Sequence, residues 1–126
     1  MVYKVVDNQW FHYNTAVTKC TDIGGLLPEP RNQVENNFLM TLTMDRFWLG
    51  IDDRAISNRY VYKSDNSLVT WTQWGPGLPV NTGDNCVTLW RDNGATDRYW
   101  KHISGGARKD NFSLVCQLKR ELSDIL

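Results

Sequence analysis

The sequence predicts an α+β fold: two helices packed on short antiparallel sheets, with a long loop region. Two segments with helical spacing come first, whereas Gly, Asn or Asp interrupts the second half every few residues, as is typical of short strands joined by turns. Six tryptophans exceed what a small helix bundle usually carries. At 126 residues, 41% of them hydrophobic, the chain is long enough for one domain with a core.

The charges of the chain balance, with 14 basic and 14 acidic side chains. A net charge of zero gives no reason to expect nucleic acid or an anionic membrane as the main partner. The apolar runs are only a few residues long, and residues 1–10 lack the basic region and the long apolar stretch of a signal peptide. We therefore expect no nucleic-acid partner and no membrane insertion.

Two aromatic and β-branched runs open the chain. The runs "YKVV" at 3–6 and "WFHY" at 10–13 flank "DNQ", which predicts a hairpin or two edge strands. His12 lies within the second run, so we expect a packed, half-buried histidine rather than a ligand.

A first helix is predicted in "YNTAVTKCTDIGG", residues 13–25. Asn14 or Thr15 can cap its start, and Gly24 supplies the left-handed stop. The positions expected to be buried are Val17, Cys20 and Ile23.

A second amphipathic helix is predicted after the prolines of residues 28–30. Asn32 is the expected N-cap, because Glu35 follows three residues later. The apolar positions at helical spacing are Val34, Phe38, Leu39 and Leu42.

Short strands account for the rest. The runs that predict them are "RFWLGID" at 46–52, "RYVYK" at 59–63, "CVTLW" at 86–90 and "FSLVCQL" at 112–118. Residues 64–85 show little periodicity, and an irregular stretch of that length inside a compact domain is usually functional.

The order of these landmarks resembles one family. The motifs are the helix bearing Cys20, "FWLGI" at 47–51, "TWTQWGPGLP" at 70–79, "GDNCVTLW" at 83–90, "YWKHIS" at 99–104 and "LVCQ" at 114–117. In this order and spacing the chain resembles the C-type lectin-like domain, and "GGAR" at 105–108 with the charged tail is similar to the short galactose-binding lectins of colonial tunicates. The resemblance implies a C-type lectin fold as a single domain over 1–126, with its core at about 3–118 and a charged tail at 119–126.

Three cysteines without a C-x-x-C pair argue against a zinc knuckle and fit one disulfide with one thiol left over. The resemblance pairs Cys20 with Cys116, which implies an oxidising, extracellular or secreted location. On the chain-entropy account, closing so long a loop stabilises the fold by about 4 to 5 kcal/mol. The family's second bridge would join Cys86 to the position of Gly105, where no cysteine stands. Cys86 is then a buried free thiol or, alternatively, forms an intermolecular disulfide in a homodimer.

Sugar-binding members of this family hold Ca²⁺ in the long loop. Their ligands are a carboxylate and an amide around a cis-proline, an acid before the third cysteine, and an Asn-Asp pair after a tryptophan. In this chain those positions are occupied by Leu78, Val80, Asp84, Lys101 and His102. Calcium takes six to eight oxygen ligands, so the resemblance implies a lost calcium site and no cofactor, with Asp84 as the one remaining candidate metal ligand.

The family's auxiliary calcium site lies in the turn after the "WLGI" strand. Asp53 matches one of its acids, but Ser57 and Asn58 stand where an acid and a glycine are usual. Two adjacent aspartates at 52 and 53 are more often a turn than a site.

Catalysis finds little support in the sequence. As a catalytic base, His102 would need a nearby acid and a nucleophile. The only candidates in the sequence are Asp84 for the acid and Ser104 for the nucleophile. A zinc or copper site would need several converging nitrogen or sulfur ligands, and the chain has two histidines. We therefore expect a protein that is not an enzyme.

The first functional hypothesis is an extracellular recognition domain that binds a protein or glycan ligand without calcium. Trp71, Trp74 and Trp90 suit a protein interface, although Trp74 and Trp100 are expected in the core. The candidate ligand-binding residues are Leu78, Val80, Asp84, Trp90, Arg98, Lys101 and His102. Alternatively, Lys101 and His102 are an ordinary solvated strand end.

Three other hypotheses are an anionic carbohydrate ligand, a calcium-dependent carbohydrate ligand, and an ice-binding module on the same scaffold. An anionic glycan, sulfated or sialylated, would pair with the basic residues Arg98, Lys101, His102, Arg108 and Lys109, more strongly once His102 is protonated. Alternatively, these basic residues are an ordinary solvated run of charges that Asp97 and Asp110 balance. Calcium-dependent sugar binding would need an atypical site from Asp84 with Asp92 or Asp97. The sequence has too few regularly spaced threonines to support an ice-binding module on the same scaffold. Separately, Asn111 begins a single N-glycosylation sequon.

Overall fold

A computed structural model describes residues 2–6, 12–80, 85–92, 97–104 and 112–118. Its elements confirm the predicted α+β class. In chain order they are β1 (Val2–Val6), α1 (Tyr13–Asp22), β2 (Gly25–Leu26), α2 (Gln33–Met40), β3 (Phe47–Asp52), β4 (Val61–Tyr62), β5 (Asn85–Arg91), β6 (Arg98–Ser104) and β7 (Leu114–Leu118).

The strands form two antiparallel sheets, one ordered β1-β7-β2 and the other β4-β3-β5-β6. The first N-terminal run is an edge strand, as one of the two predictions had it, and not half of a hairpin with residues 12 and 13, because β1 pairs with the last strand, from Val2 opposite Leu118 to Val6 opposite Leu114. Residues 12 and 13 begin a helix instead of a strand, and the remainder of "WFHY" lies outside the described residues.

Helix α1 begins earlier than its polar residues predicted. The N-cap is His12, whose carbonyl oxygen accepts from the Ala16 amide at 2.9 Å, and the His12 side chain is exposed rather than half-buried. Tyr13 opens the helix fully buried, with its ring 5.4 Å from that of Trp48, so the aromatic contact fixes the start. Ile23 is 46% exposed, contrary to expectation, whereas Gly24 adopts the predicted left-handed conformation at φ 79°.

Helix α2 has the predicted cap. The Asn32 side chain accepts from the Glu35 amide at 2.9 Å. The predicted apolar face is right for Leu39, which is buried, and for Leu42, which packs against the core. It is wrong for Val34 and Phe38, which are 78% and 50% exposed. The helix is turned so that Asn36 is buried, and its amide oxygen accepts from the Trp100 indole nitrogen at 2.8 Å.

The core consists of two clusters, one on each face of the four-stranded sheet. Trp48 faces the cluster under α1, while Phe47, Leu49 and Ile51 face the cluster under α2. Both faces of β3 are therefore covered, which explains why all six of its residues are buried.

The implied disulfide is present between Cys20 on α1 and Cys116 on β7, with 5.3 Å between their Cα atoms. Cys86 forms no disulfide and is fully buried in the cluster under α1. That burial agrees with the first expectation for Cys86 and leaves no surface for an intermolecular disulfide.

Candidate functional site

The long loop approaches the sheet at the middle of β6. The Trp100 amide donates to the Gln73 carbonyl at 2.8 Å, and the Gly75 amide donates to the Trp100 carbonyl at 3.1 Å. Gly75 is required here because a Cβ at this position would overlap the ring of Tyr99. The Leu78-Pro79 peptide bond that follows is cis.

His102 binds the far end of this loop. Its Nε2 accepts a hydrogen bond from the Val80 amide at 2.9 Å, and its side chain is only 8% exposed. The rings of Trp74 and Tyr60 lie 6.0 and 6.5 Å from the imidazole. Burial lowers the pKa of His102 below its ordinary value, so at neutral pH His102 is a neutral, buried hydrogen-bond acceptor and not part of a solvated strand end.

Trp90, a predicted ligand contact, belongs to the core at 6% exposure. The Arg46 guanidinium lies 3.8 Å and the Lys101 ammonium 4.3 Å from its ring centroid. The indole nitrogen donates to Asp92 at 3.1 Å. Because the two cations and the core cover the Trp90 ring, Trp90 contacts Lys101 through its ring face and offers little surface to a ligand.

Arg98, predicted to bind anions, holds the chain after α2 instead. Its guanidinium donates to the carbonyl oxygens of Thr43 and Asp45 at 2.7 Å and of Met40 at 3.3 Å. Burial lowers the pKa of Arg98 to about 10, so the group stays charged at neutral pH. With these donors committed to carbonyls, Arg98 is poorly placed to bind a sulfated or sialylated sugar.

A cavity of about 560 Å³ lies beside the Lys101 ammonium and is open on one side. Its lining residues are Pro76, Leu78, Asp92, Asp97, Tyr99 and Lys101. The Tyr99 hydroxyl donates to Asp92 at 3.0 Å, and this bond and partial burial raise the pKa of Tyr99.

The cavity unites residues that the sequence suggested for different reasons. Leu78 and Lys101 were candidate ligand contacts, whereas Asp92 and Asp97 were named for an atypical calcium site. Pro76 and Tyr99 were missed, although strand alternation places Tyr99 on the same face of β6 as Lys101. Asp84, Arg108, Lys109, Asp110 and Asn111 lie outside the described residues.

Asp53 is fully occupied by the backbone. Its carboxylate accepts from the Asn85 amide at 2.6 Å and from the Asn58 amide at 2.8 Å, and it is 1% exposed. The carboxylate thus joins the turn after β3 to the start of β5. Of the two aspartates in "DD", Asp52 ends β3 and Asp53 begins the turn, so the expected turn is confirmed for Asp53 alone.

The side chains at the family's calcium positions do not suit the ion. Leu78 and Val80 carry hydrocarbon side chains, and the Lys101 ammonium lies over Trp90. His102 uses its Nε2 to accept from the Val80 amide. These four positions supply no side-chain oxygen, whereas calcium requires six to eight oxygen ligands.

Comparison with known proteins places the chain in a family. The sequence profile described as "Lectin C-type domain" matches residues 11–117. The chain therefore belongs to the C-type lectin domain family, as its motif order predicted. Human lithostathine, a solved structure, is 28% identical with a TM-score of 0.73, over 95% of this chain and 94% of that one.

Two curated relatives are longer proteins. Mannose-binding protein of Gallus gallus is 29% identical over 101 residues, which are 79% of this chain and 37% of the relative. The low affinity immunoglobulin epsilon Fc receptor of Mus musculus is 33% identical over 84 residues, which are 64% of this chain and 24% of the relative. The chain thus spans about a quarter to a third of these relatives. Within the described ranges, no helix is long and apolar enough to cross a membrane.

Proposed function

We propose that this C-type lectin domain is a non-enzymatic, extracellular recognition domain that binds a glycan or protein ligand without calcium. The observation that carries the proposal is the hydrogen bond from the Val80 amide to His102. Two residues at positions where calcium ligands stand in sugar-binding members bind each other instead of a metal. This hydrogen bond therefore attaches the loop to β6 without a metal ion.

The cavity beside Lys101 is the proposed ligand site. Its volume falls within the range of small-molecule sites, and Leu78 and the Tyr99 ring give it apolar walls next to polar groups. Lys101, Leu78 and the cavity's two aspartates are the proposed contacts. His102 and Val80 support the wall from behind.

Charge favours an uncharged ligand over an anionic glycan. Among the residues that the structure describes, the lining contains two carboxylates, Asp92 and Asp97, and one ammonium, Lys101. Arg98 was expected to add positive charge but donates to backbone carbonyls. His102 was expected to do so once protonated, but its lowered pKa keeps it neutral at neutral pH. A sulfate or sialic acid would meet more negative than positive charge there. Hydroxyl groups of a neutral sugar could instead donate to the carboxylates.

The extracellular assignment is supported by the Cys20–Cys116 disulfide, since such bonds persist in oxidising compartments. The names of the two curated relatives cover both proposed ligand classes, mannose and an immunoglobulin. Family membership therefore leaves both open, and the cavity is compatible with a sugar or with one side chain of a protein.

The thermal unfolding midpoint in calcium tests the proposal. We compare about 10 mM calcium, roughly tenfold above the weakest extracellular calcium sites, with excess chelator. Ligand binding at that excess would stabilise the native state by about 1.4 kcal/mol and raise the midpoint by roughly 5 °C. We expect an unchanged midpoint. A rise of that size would contradict calcium independence.

The same protein, in chelator, is then passed over immobilised mannose, immobilised galactose and heparin. Retention on a neutral sugar that Lys101→Ala weakens supports the cavity as a sugar site. Salt-sensitive retention on heparin alone would contradict the charge argument. Retention on none of the three would assign the site to a protein ligand.

A further inference from the structure

The hydrogen bond at His102 fixes the protonation of its ring. A nitrogen that accepts from a backbone amide carries no proton, so Nε2 is unprotonated and the neutral ring holds its proton on Nδ1. Addition of a second proton would turn Nε2 into a donor facing the donor of Val80. The bond exists only while His102 is neutral.

This bond is the second attachment of the long loop to β6. The first consists of the two backbone hydrogen bonds at Trp100, which hold Gln73 and Gly75. Beyond them, the Leu78 amide donates back to the Gly75 carbonyl at 3.1 Å within the loop itself. Residues 76–80 therefore return to the sheet through His102. Leu78, a wall of the cavity, lies between the two attachments.

The surroundings of His102 oppose its protonation on balance. From its own strand, Lys101 disfavours a second positive charge, while Asp53, in the turn after β3, favours it. Tyr60 and Trp74 contribute ring contacts, and the neighbour on β5 is Val87. Burial is the largest influence and lowers the pKa of His102.

We propose that His102 is a positioning residue that holds the loop at Val80 through an unprotonated ring nitrogen, and that uptake of a proton by this nitrogen releases residues 76–80 from β6. Release would move the Leu78 wall of the cavity. Ligand binding would then weaken in mildly acidic solution, a consequence that rests on the proposed function. Release of the loop itself does not depend on any ligand.

Nuclear magnetic resonance of the ¹⁵N-labelled chain tests the proposal without ligand or metal. At about pH 7.5 the imidazole nitrogen shifts of His102 should report the Nδ1–H tautomer. Between about pH 7.5 and about pH 5.5, the protection of the Val80 amide against hydrogen exchange, relative to its intrinsic rate, should fall by about three- to tenfold. The Trp100 amide should keep its protection over the same range.

Two variants separate the acceptor from the proton. His102→Gln offers an amide oxygen that can accept from Val80 and does not titrate, so Val80 should stay protected at both pH values. His102→Leu removes the acceptor, so protection should be low at both. An Nε2–H tautomer, or equal acid sensitivity of Val80 in the original chain and in His102→Gln, would overturn the proposal. Because calcium enters none of these measurements, a failure here is distinct from a failure of the calcium experiment.

Discussion

Two irregular segments of this protein are fastened to the same sheet by buried acceptors of different chemistry. In the turn after β3, Asp53 accepts from two backbone amides at 2.6 and 2.8 Å through a charged carboxylate. At the end of the long loop, His102 accepts from one amide at 2.9 Å through a neutral ring. The first fastening uses two charge-assisted bonds and the second uses one uncharged bond, which is weaker.

The difference indicates which segment can change with conditions. An imidazole gains a proton close to neutral pH and then no longer accepts through that nitrogen. The Asp53 turn, held by two bonds from backbone amides to a carboxylate that is 1% exposed, is a fixed part of the scaffold. The His102 fastening lies beside the candidate ligand cavity, where a reversible attachment can affect binding.

The largest expected effect is that of Asp53→Ala. Removal of the buried carboxylate leaves the amide of the buried Asn85 and the amide of the exposed Asn58 without this acceptor, which we expect to cost about 3 to 4 kcal/mol of unfolding free energy. Denaturant unfolding measures it. Asp97→Ala removes an exposed carboxylate and serves as the control, with no measurable change expected. Equal stability of the two variants would show that the Asp53 fastening is not stronger than a surface charge.

A charged donor provides a second fixed fastening, at Arg98. Arg98→Met keeps much of the apolar stem but removes three bonds to carbonyl oxygens, so we expect a loss of about 2 to 3 kcal/mol in the same unfolding experiment. Arg59→Met, at an exposed arginine, is the matched control. If Arg98→Met left stability unchanged but abolished binding to an anionic ligand, Arg98 would be a ligand contact after all.

The smallest effect is the pH dependence due to His102. Its pKa in the folded protein lies below 6.5, so the unfolded chain takes up the proton first as the pH falls. The contribution of His102 is thus fully present above about pH 6.5 and decreases toward the folded pKa, with a slope of at most about 1.4 kcal/mol per pH unit. His102→Gln should remove this part of the slope, since His12 and every carboxylate remain. Identical slopes in the two proteins would mean that His102 is not buried in its neutral form.

Local patterns in the sequence were enough for several features. The cap of α2 depends on Asn32 and Glu35, which are three residues apart, and the turn at Gly24 depends on one residue's freedom to adopt positive φ. The disulfide and the fold followed from the order of the family motifs. Only part of the buried face of α2 could be predicted: Leu39 was, but the burial of Asn36 depends on a hydrogen bond to Trp100, 64 residues away.

The candidate site divides in the same way. Its location on the long loop and β6, and the poor match to calcium ligands, were readable from residue types at motif positions. The roles of individual side chains could not be predicted. From the sequence alone, Arg98, Trp90 and His102 were candidate ligand contacts at the surface. Each binds a partner that only the fold brings near: a backbone carbonyl 53 to 58 residues away, the guanidinium of Arg46, and the Val80 amide.

The sequence by itself determined the α+β class, the family and the α2 cap, because these depend on short-range spacing and on the order of motifs, whereas the burial of Cys86 in the fold decided that it remains a thiol. The tertiary structure decided which charges face solvent and which polar atoms are already occupied. Burial and hydrogen bonding act between residues distant in the chain, so His102, a candidate ligand contact in the sequence, is in the fold a neutral acceptor that holds the loop.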